Sequence, residues 1–577
     1  MTMDGVTLHK IVEELSSLTG AKIEKIQQPA SDEIVLRLHT LSGKKQLVLS
    51  ANASDCRIHL TDMKRDNPKT APNFCMFLRK YIGNGRIEGF SQCGMDRVVS
   101  ISISAKDEMG VVVWYDLVVE IMSKHSNIML LNVDGKIMES LKHVSFDVSR
   151  VRQVLPGMKY SFPPSEKLDP LTADISDMAR RLMESPVSHA VCDSLQGISH
   201  QTAEDILQKK YSGKAPQFTN EAEARSLASF IAEYLKQNLA FSRPCLQKNG
   251  AGLPVFYSVV PYAAYSEAGR IYYKTMNEAV DGYYSLRREI SAMNAGKNKL
   301  LSAIKKNRTR ISKKLKIQNE TLASAQNIEK YRIYGELITA NIYAIKRGMK
   351  SAELLNYYTN EPVVVPLDEK LSPSANATKY FKRVGKLKNA LIVAKKQSVL
   401  YSDELKYLDD LEYCTNSAAT PEDLEEVRLD LEKYGYLPAG HQDKVKRSDP
   451  LSSPYQFTSS DGFPILAGRN SRGNDALTMR VAGKDDLWFH GRNIPGSHVI
   501  LFTKGKQPSE TAIFEAATIA ATLSKAKSSG KTDIDYAPRS HVWKANGARP
   551  GMVLYDGHTT ITVKPDPELT ERLRSGI

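Results

Sequence analysis

The chain has 577 residues, too many for one hydrophobic core, so length predicts several domains. Lys plus Arg is 79 against 65 Asp plus Glu, and the net charge of +14 points to a polyanionic partner, nucleic acid or an acidic membrane surface. Six dispersed cysteines form no CxxC pair, which excludes the usual zinc spacing and fits a reducing cytosol. No apolar run reaches the roughly 20 residues of a membrane helix, and the opening MTMDGVTLHKIVEEL lacks a signal-peptide apolar core, so a cytoplasmic protein with no membrane partner is expected.

Residues 1–165 read as mixed α/β. Ile11, Val12, Leu15 and Leu18 give a helical stripe, and Ile34–Leu38 and Gln46–Ser50 alternate as strands. A buried helix is expected near Phe74–Tyr81, then strands near Val98–Ile103, Val111–Ile121 and Ile128–Asn132. Prolines at Pro156–Pro164 mark a boundary. Residues 170–240 read as helical, and Leu195-Gln196-Gly197-Ile198-Ser199 has the form of a helix-hairpin-helix turn, where glycine lets backbone N–H groups approach a phosphate. Taken alone, that stretch reads better as an ordinary glycine-terminated helix.

Residues 283–349 contain no proline, and Leu286, Ile290, Met293, Leu300, Ile304, Ile311, Leu315 and Leu322 form a heptad-like seam. After a break near Pro362–Pro373, a second seam runs through Val384, Leu387, Leu391, Leu405, Leu408 and Leu411. The pair predicts an antiparallel coiled-coil arm around a short non-helical tip. Between Arg287 and Lys316 stand eleven basic residues, among them Arg287, Arg288, Lys305, Lys306, Arg308, Arg310, Lys313 and Lys314, against the single acid Glu289. One-signed charge at this density repels itself unless a polyanion relieves it, so these residues are expected to touch RNA. The helix at 421–436 closes the arm. A polar linker and a C-terminal α/β domain follow, with a helix near Glu510–Lys527 and strands at Asp533–Tyr536, Val542–Trp543 and Thr559–Lys564.

No P-loop, GxSxG, HExxH or dinucleotide fingerprint occurs, and no catalytic residue, metal or cofactor is expected. The segment Asp485–His498 is richest in reactive types. Its histidines are separated by a Pro-Gly turn and lack a third ligand at a recognisable spacing. Trp488, His490 and Arg492 suit base stacking and phosphate contact, or alternatively a strand–turn–strand core, where Phe489 is expected. In the first domain, Asp96-Arg97 and Glu120-Ile121-Met122 set charge inside apolar strands. A carboxylate can accept from a base amino group and arginine can clamp phosphate, but an Asp96–Arg97 or Arg97–Glu120 structural ion pair reads equally well.

The chain resembles the NFACT family from end to end. The blocks that carry the resemblance include Met3-Asp4-Gly5, Asp96-Arg97, Glu120-Ile121-Met122, Arg152–Gly157, Gly335–Tyr343, Asp486–His490, Pro495–Val499 and Arg549–Val553. Within the family it is similar to the bacterial RqcH type, also called FbpA-like. The resemblance implies a factor that binds large (50S) ribosomal subunits blocked by peptidyl-tRNA, near the stalk base. It implies recruitment of alanyl-tRNA, with the small RNA-binding partner RqcP, for untemplated C-terminal alanine tailing that marks the chain for degradation. Asp96, Arg97, Glu120, Ile121 and Met122 match the tRNA-reading motifs. The peptide bond is left to ribosomal RNA, so the chain is expected not to be an enzyme.

The family also carries a fibronectin-binding name, so an adhesin role is the alternative reading. The resemblance further implies an α+β multidomain chain: a glycosylase-like NFACT-N domain over 1–165, a helix-hairpin-helix region over 166–275, the arm over 276–437, a linker over 438–455 and an NFACT-R domain over 456–577. Glycosylase chemistry is not expected, because the N-terminal Pro-Glu pair and the terminal zinc finger of those enzymes are missing.

Overall fold

The computed structural model describes residues 3–184, 187–211, 220–324, 326–438 and 452–574. Of the expected linker, residues 439–451 lie outside the described residues. The chain divides into two units, Met1–Ser291 and Ala292–Ile577.

In the first unit, α1 (Gly5–Leu15) begins where the Asp4 carboxylate accepts from the Thr7 N–H at 2.9 Å, a side-chain cap. Its apolar stripe, Leu8, Ile11, Val12 and Leu15, is buried. Four strands follow, β1 (Lys22–Ala30), β2 (Glu33–Thr40), β3 (Gly43–Ser50) and β4 (Arg57–Leu60), then α2 (Asn73–Ile82). Five more complete the sheet: β5 (Arg86–Gln92), β6 (Val98–Lys106), β7 (Val112–Glu120), β8 (Asn127–Leu131) and β9 (Ile137–Ser140). Their order is β4-β3-β2-β1-β5-β6-β7-β8-β9, with β1 and β5 paired at Lys22↔Arg86. Alternation sorts the side chains between two cores. Ile101, Ile103, Leu117 and Val119 join the main core with α1 and α2. Val98, Val118 and Met129 form a smaller one that Val144, Val154 and Tyr160 close.

The rest of this unit is α3 (Ile175–Met183), α4 (Val187–Ser194), α5 (His200–Tyr211), α6 (Glu221–Ala240), a three-stranded sheet of β10 (Cys245–Lys248), β11 (Pro254–Ser258) and β12 (Arg270–Tyr272), and the first turns of α7 (Met276–Ala323). The glycine-bearing turn joins two helices, α4 and α5, and Gly197 takes φ +71°, a left-handed conformation that glycine adopts without steric cost.

In the second unit, α7 continues, α8 (Gln326–Ala340) leads to a hairpin of β13 (Ser351–Asn356) and β14 (Glu361–Pro366), and α9 (Pro373–Ser417) returns. Lys297 reaches the Asn416 carbonyl while Lys314 lies over Tyr401, so α7 and α9 run antiparallel. Leu300, Ile304 and Ile311 of the expected seam are buried against Tyr407, Leu408 and Leu411. The α10 helix (Pro421–Lys433) carries the capping box of Thr420 and Asp423.

The C-terminal sheet uses β15 (Tyr455–Thr458), β16 (Pro464–Ala467), then, after α11 (Ser471–Ala476), β17 (Leu487–Gly491) and β18 (Val499–Leu501). After α12 (Glu510–Thr522) come β19 (Thr532–Pro538), the short pair β20 (Val542–Trp543) and β21 (Leu554–Tyr555), β22 (Thr559–Val563) and α13 (Pro567–Arg572). The main sheet order is β15-β16-β18-β17-β19-β22. One face packs Phe489, Val499 and Leu501 against the alanines of α12, and the other packs Trp488 and Ile500 with Leu477 and Val542.

Candidate RNA interface

A cleft of about 570 Å³ opens in the first unit where three segments meet: the loop before β6, the α4–α5 turn and the chain at Pro163-Pro164. The contact that joins two of these to the N-terminus is unusually close. A Cβ on Gly5 would lie 2.0 Å from the Met95 carbonyl oxygen, and one on Gly197 would lie 2.1 Å from the same atom. The Gly5 N–H donates to the Gly197 carbonyl at 2.8 Å. Asp4 is buried beside them, and its second oxygen accepts from the Thr202 hydroxyl at 2.7 Å.

Asp96, Arg97 and Met122 line this cleft, and each is half-buried. The Asp96 carboxylate accepts from the Arg97 backbone N–H at 2.7 Å, and the Gln92 amide donates to the Asp96 carbonyl at 2.8 Å, so the loop is rigidly braced. Neither of the two expected structural ion pairs forms. The Arg97 guanidinium has no hydrogen bond or ion pair among the described residues. Ser199 and His200 bring the first turn of α5 to the same cleft, where backbone N–H groups and the helix dipole favour an anion.

Glu120 and Ile121 stand elsewhere. Glu120 is 1% exposed, and both its oxygens are held by Arg152, at 2.6 and 3.0 Å. A carboxylate so engaged cannot accept from a base, which corrects its placement among the contact residues. Ile121 is fully buried, and its N–H donates to the Arg97 carbonyl at 2.9 Å. Both lie behind the cleft. Among the cleft residues, Ser199 and His200 carry only the turn pattern of 195–199 as a sequence signal, and Pro163-Pro164 reads in the sequence as a boundary alone.

The basic stripe divides in the same way. Arg287 pairs with Asp55 at 2.8 Å, and Arg288 donates to the Lys64 carbonyl at 2.8 Å. Arg308 pairs with both Asp409 and Glu412 of α9. These three are occupied by the fold, which corrects the count of opposing acids from the local window. Lys305, Lys306, Arg310, Lys313 and Lys314 remain exposed.

In the C-terminal sheet Trp488 is 0% exposed, so the indole is core and does not offer a stacking face. It packs against His490, His498 and Tyr555 at centroid distances of 5.7, 5.3 and 4.8 Å. Burial pushes the His490 ring down to about 4, against the opposing pull of its hydrogen bond to Gly496. Burial also holds His498 well below the ordinary imidazole range. Both are therefore neutral near pH 7. Arg492 is exposed. Phe489 is core, as expected. Among the described residues no group of three His, Cys, Asp or Glu is placed to hold a metal, and no helix is long and apolar enough to cross a membrane.

The chain belongs to the NFACT family: NFACT N-terminal and middle domains match residues 4–450, and the NFACT protein RNA binding domain matches residues 453–562. It is 35% identical, over the full length of both chains, to the Rqc2 homolog RqcH of Bacillus subtilis. Identity to the Rqc2 homolog RqcH of Streptococcus pneumoniae is 33%, over 98% of each chain. The chain is 21% identical, over 60% of its own length and 33% of the other, to the ribosome quality control complex subunit NEMF of Homo sapiens.

Proposed function

We propose that this chain is a ribosome quality control factor that binds large ribosomal subunits carrying peptidyl-tRNA and brings alanyl-tRNA to them for untemplated alanine tailing. Full-length similarity to proteins named Rqc2 homolog RqcH supports this reading. The observation that carries it is Arg97, a half-buried guanidinium with no partner among the described residues, beside Asp96 and the start of α5. Arginine clamps phosphate or stacks on an unpaired base, and carboxylate and peptide N–H groups complete a surface suited to an RNA loop. The protein orients its substrates, and ribosomal RNA makes the bond. Lys305, Lys306, Arg310, Lys313 and Lys314 supply the salt-dependent attraction to the subunit, Arg492 adds a contact from the RNA binding domain, and an RqcP-like small protein assists. The proposed domains are 1–165, 166–275, 276–437 and 456–577, with the linker between the last two, in a cytoplasmic protein.

The test is Asp96→Ala with Arg97→Ala in the full chain. The double variant is expected to melt within a few degrees of the parent, because two part-exposed changes outside the core cost about 1 kcal/mol in total. It should sediment with large subunits and bring down no tRNA. A stable variant that keeps tRNA in the pellet would sink the role of the pair. A parent chain that recovered no tRNA yet bound immobilised fibronectin would exchange this reading for the adhesive one.

A further inference from the structure

Glu120, Arg152 and Tyr160 form a buried triad behind the cleft. Arg152 holds the Glu120 carboxylate with two nitrogens, and the Tyr160 hydroxyl donates to Glu120 Oε1 at 2.9 Å. The Arg152 guanidinium also lies 5.2 Å from the centre of the Tyr160 ring. Burial, and then the Glu120 carboxylate, push the Tyr160 hydroxyl up, so it stays a donor at physiological pH. The ion pair balances its own charge, while the Arg152 Nε is buried with no hydrogen-bond partner among the described residues. What it joins explains why it is there.

On one side is the Arg97 loop. Glu120 ends β7 directly opposite Val98, and the next residue, Ile121, donates its N–H to the Arg97 carbonyl. On the other side is the segment after β9, residues 141–165, which contains no helix or extended ladder. Single bridges, Val144↔Val154 and Lys136↔Lys159, hold it together with backbone hydrogen bonds that run from Ile137 N–H to the Met158 carbonyl, from Gly157 N–H to the Ile137 carbonyl and from Tyr160 N–H to the Gly135 carbonyl, and the triad adds the side-chain tie to β7. Three residues beyond Tyr160 the segment becomes Pro163-Pro164, which line the cleft. A bidentate guanidinium–carboxylate pair has fixed planar geometry, and a third hydrogen bond from a ring removes the remaining rotation.

We infer that Glu120, Arg152 and Tyr160 are positioning residues that fix the spacing between the Arg97 loop and the Pro163-Pro164 wall, and so determine which RNA the cleft selects. None of the three touches the ligand. The inference rests on the reading of the cleft as an RNA site. It gives Glu120 an indirect role and assigns one to Arg152 and Tyr160, which their hydrogen bonds alone would leave as packing.

The decisive variants are Tyr160→Phe and Arg152→Lys, made in the full chain. Tyr160→Phe removes one oxygen and leaves the ion pair intact, and Arg152→Lys keeps the charge and loses the fork. Each should weaken binding of tRNA by about tenfold, the lower end of the value of one hydrogen bond to a charged group. Binding of a generic single-stranded RNA of equal length should be unchanged, so the selectivity ratio falls. Hydrogen exchange should quicken at 94–98 and 160–165 and stay as in the parent over α1 and β1–β4. Unchanged selectivity in both variants, while Asp96→Ala with Arg97→Ala abolishes tRNA binding, overturns the inference and keeps the cleft. An equal loss for both RNAs, or faster exchange throughout the unit, overturns it as well. If the Asp96/Arg97 variant retains tRNA, the cleft reading fails first and takes the inference with it.

Discussion

The loop Gly94–Arg97 and the strand Leu487–Gly491 both carry candidate contact residues, and the fold treats them in opposite ways. In the loop, one carboxylate oxygen accepts from a backbone N–H, and the guanidinium stands on a cleft with no partner among the described residues. In the strand, Trp488 is enclosed and its two neighbouring imidazoles are driven neutral by burial. Residue type is therefore a poor guide to availability. Whether a side chain can meet a ligand depends on how many of its valences the protein has already used.

The largest effect expected is at Trp488. Its replacement by alanine empties a fully buried site and should cost about 3–5 kcal/mol, seen as a large fall in melting temperature. A Trp488→Ala protein that melts like the parent and loses RNA would break the contrast, because the indole would then be a contact residue after all.

Acid should act on the strand next. The folded-state value of His490 is about 4, whereas the unfolded chain titrates near its ordinary value, about 6.5. Between these values the unfolded chain binds more protons. Stability is then fully present above about pH 6.5 and is lost as pH falls towards 4, by roughly 2–3 kcal/mol at pH 4.5. Denaturant midpoints at pH 7.5 and 4.5 measure the loss, and His490→Gln should make the dependence shallower. An unchanged slope in the variant would remove His490 from the account.

A smaller change tests the framing of the cleft. Gly5→Ala would place a Cβ 2.0 Å from the Met95 carbonyl oxygen and should cost about 1–3 kcal/mol through the shift it forces. Because the Met95 carbonyl belongs to the Arg97 loop, tRNA binding should fall further than that of Trp488→Ala compared at equal residual stability. Equal falls would mean that the cleft has no special dependence on this close approach.

The smallest effect on stability concerns the stripe. Reversing Lys305, Lys306, Lys313 and Lys314 to glutamate should alter melting by no more than about 0.5 kcal/mol per site, since all four are exposed. The slope of log affinity for large subunits against log salt should drop by roughly 0.7–0.9 for every phosphate that is no longer neutralised. Arg308→Ala should do the reverse, loosening the α7–α9 pair where Asp409 and Glu412 lose their partner, with little change in the slope. A steep salt slope that survives all four reversals would reduce the stripe to a solvated face.

Much of the local structure was legible in the residues themselves. Alternation located β2, β3, β6, β7, β8, β19 and β22 to within a few residues, and the leucine and isoleucine seam marked the faces along which α7 and α9 meet. Gly197, in its five-residue turn, marked the join of α4 and α5. These features depend on neighbours a few positions away, so periodicity and backbone conformational preference suffice to reveal them. Availability was decided by tertiary structure. Glu120 is taken up by Arg152 across 32 positions, Arg308 by Asp409 across 101, and Trp488 packs on the distant Tyr555. No window of sequence contains both members of such pairs. Coulomb attraction and desolvation act through space, so only the folded chain determines which charges remain for RNA.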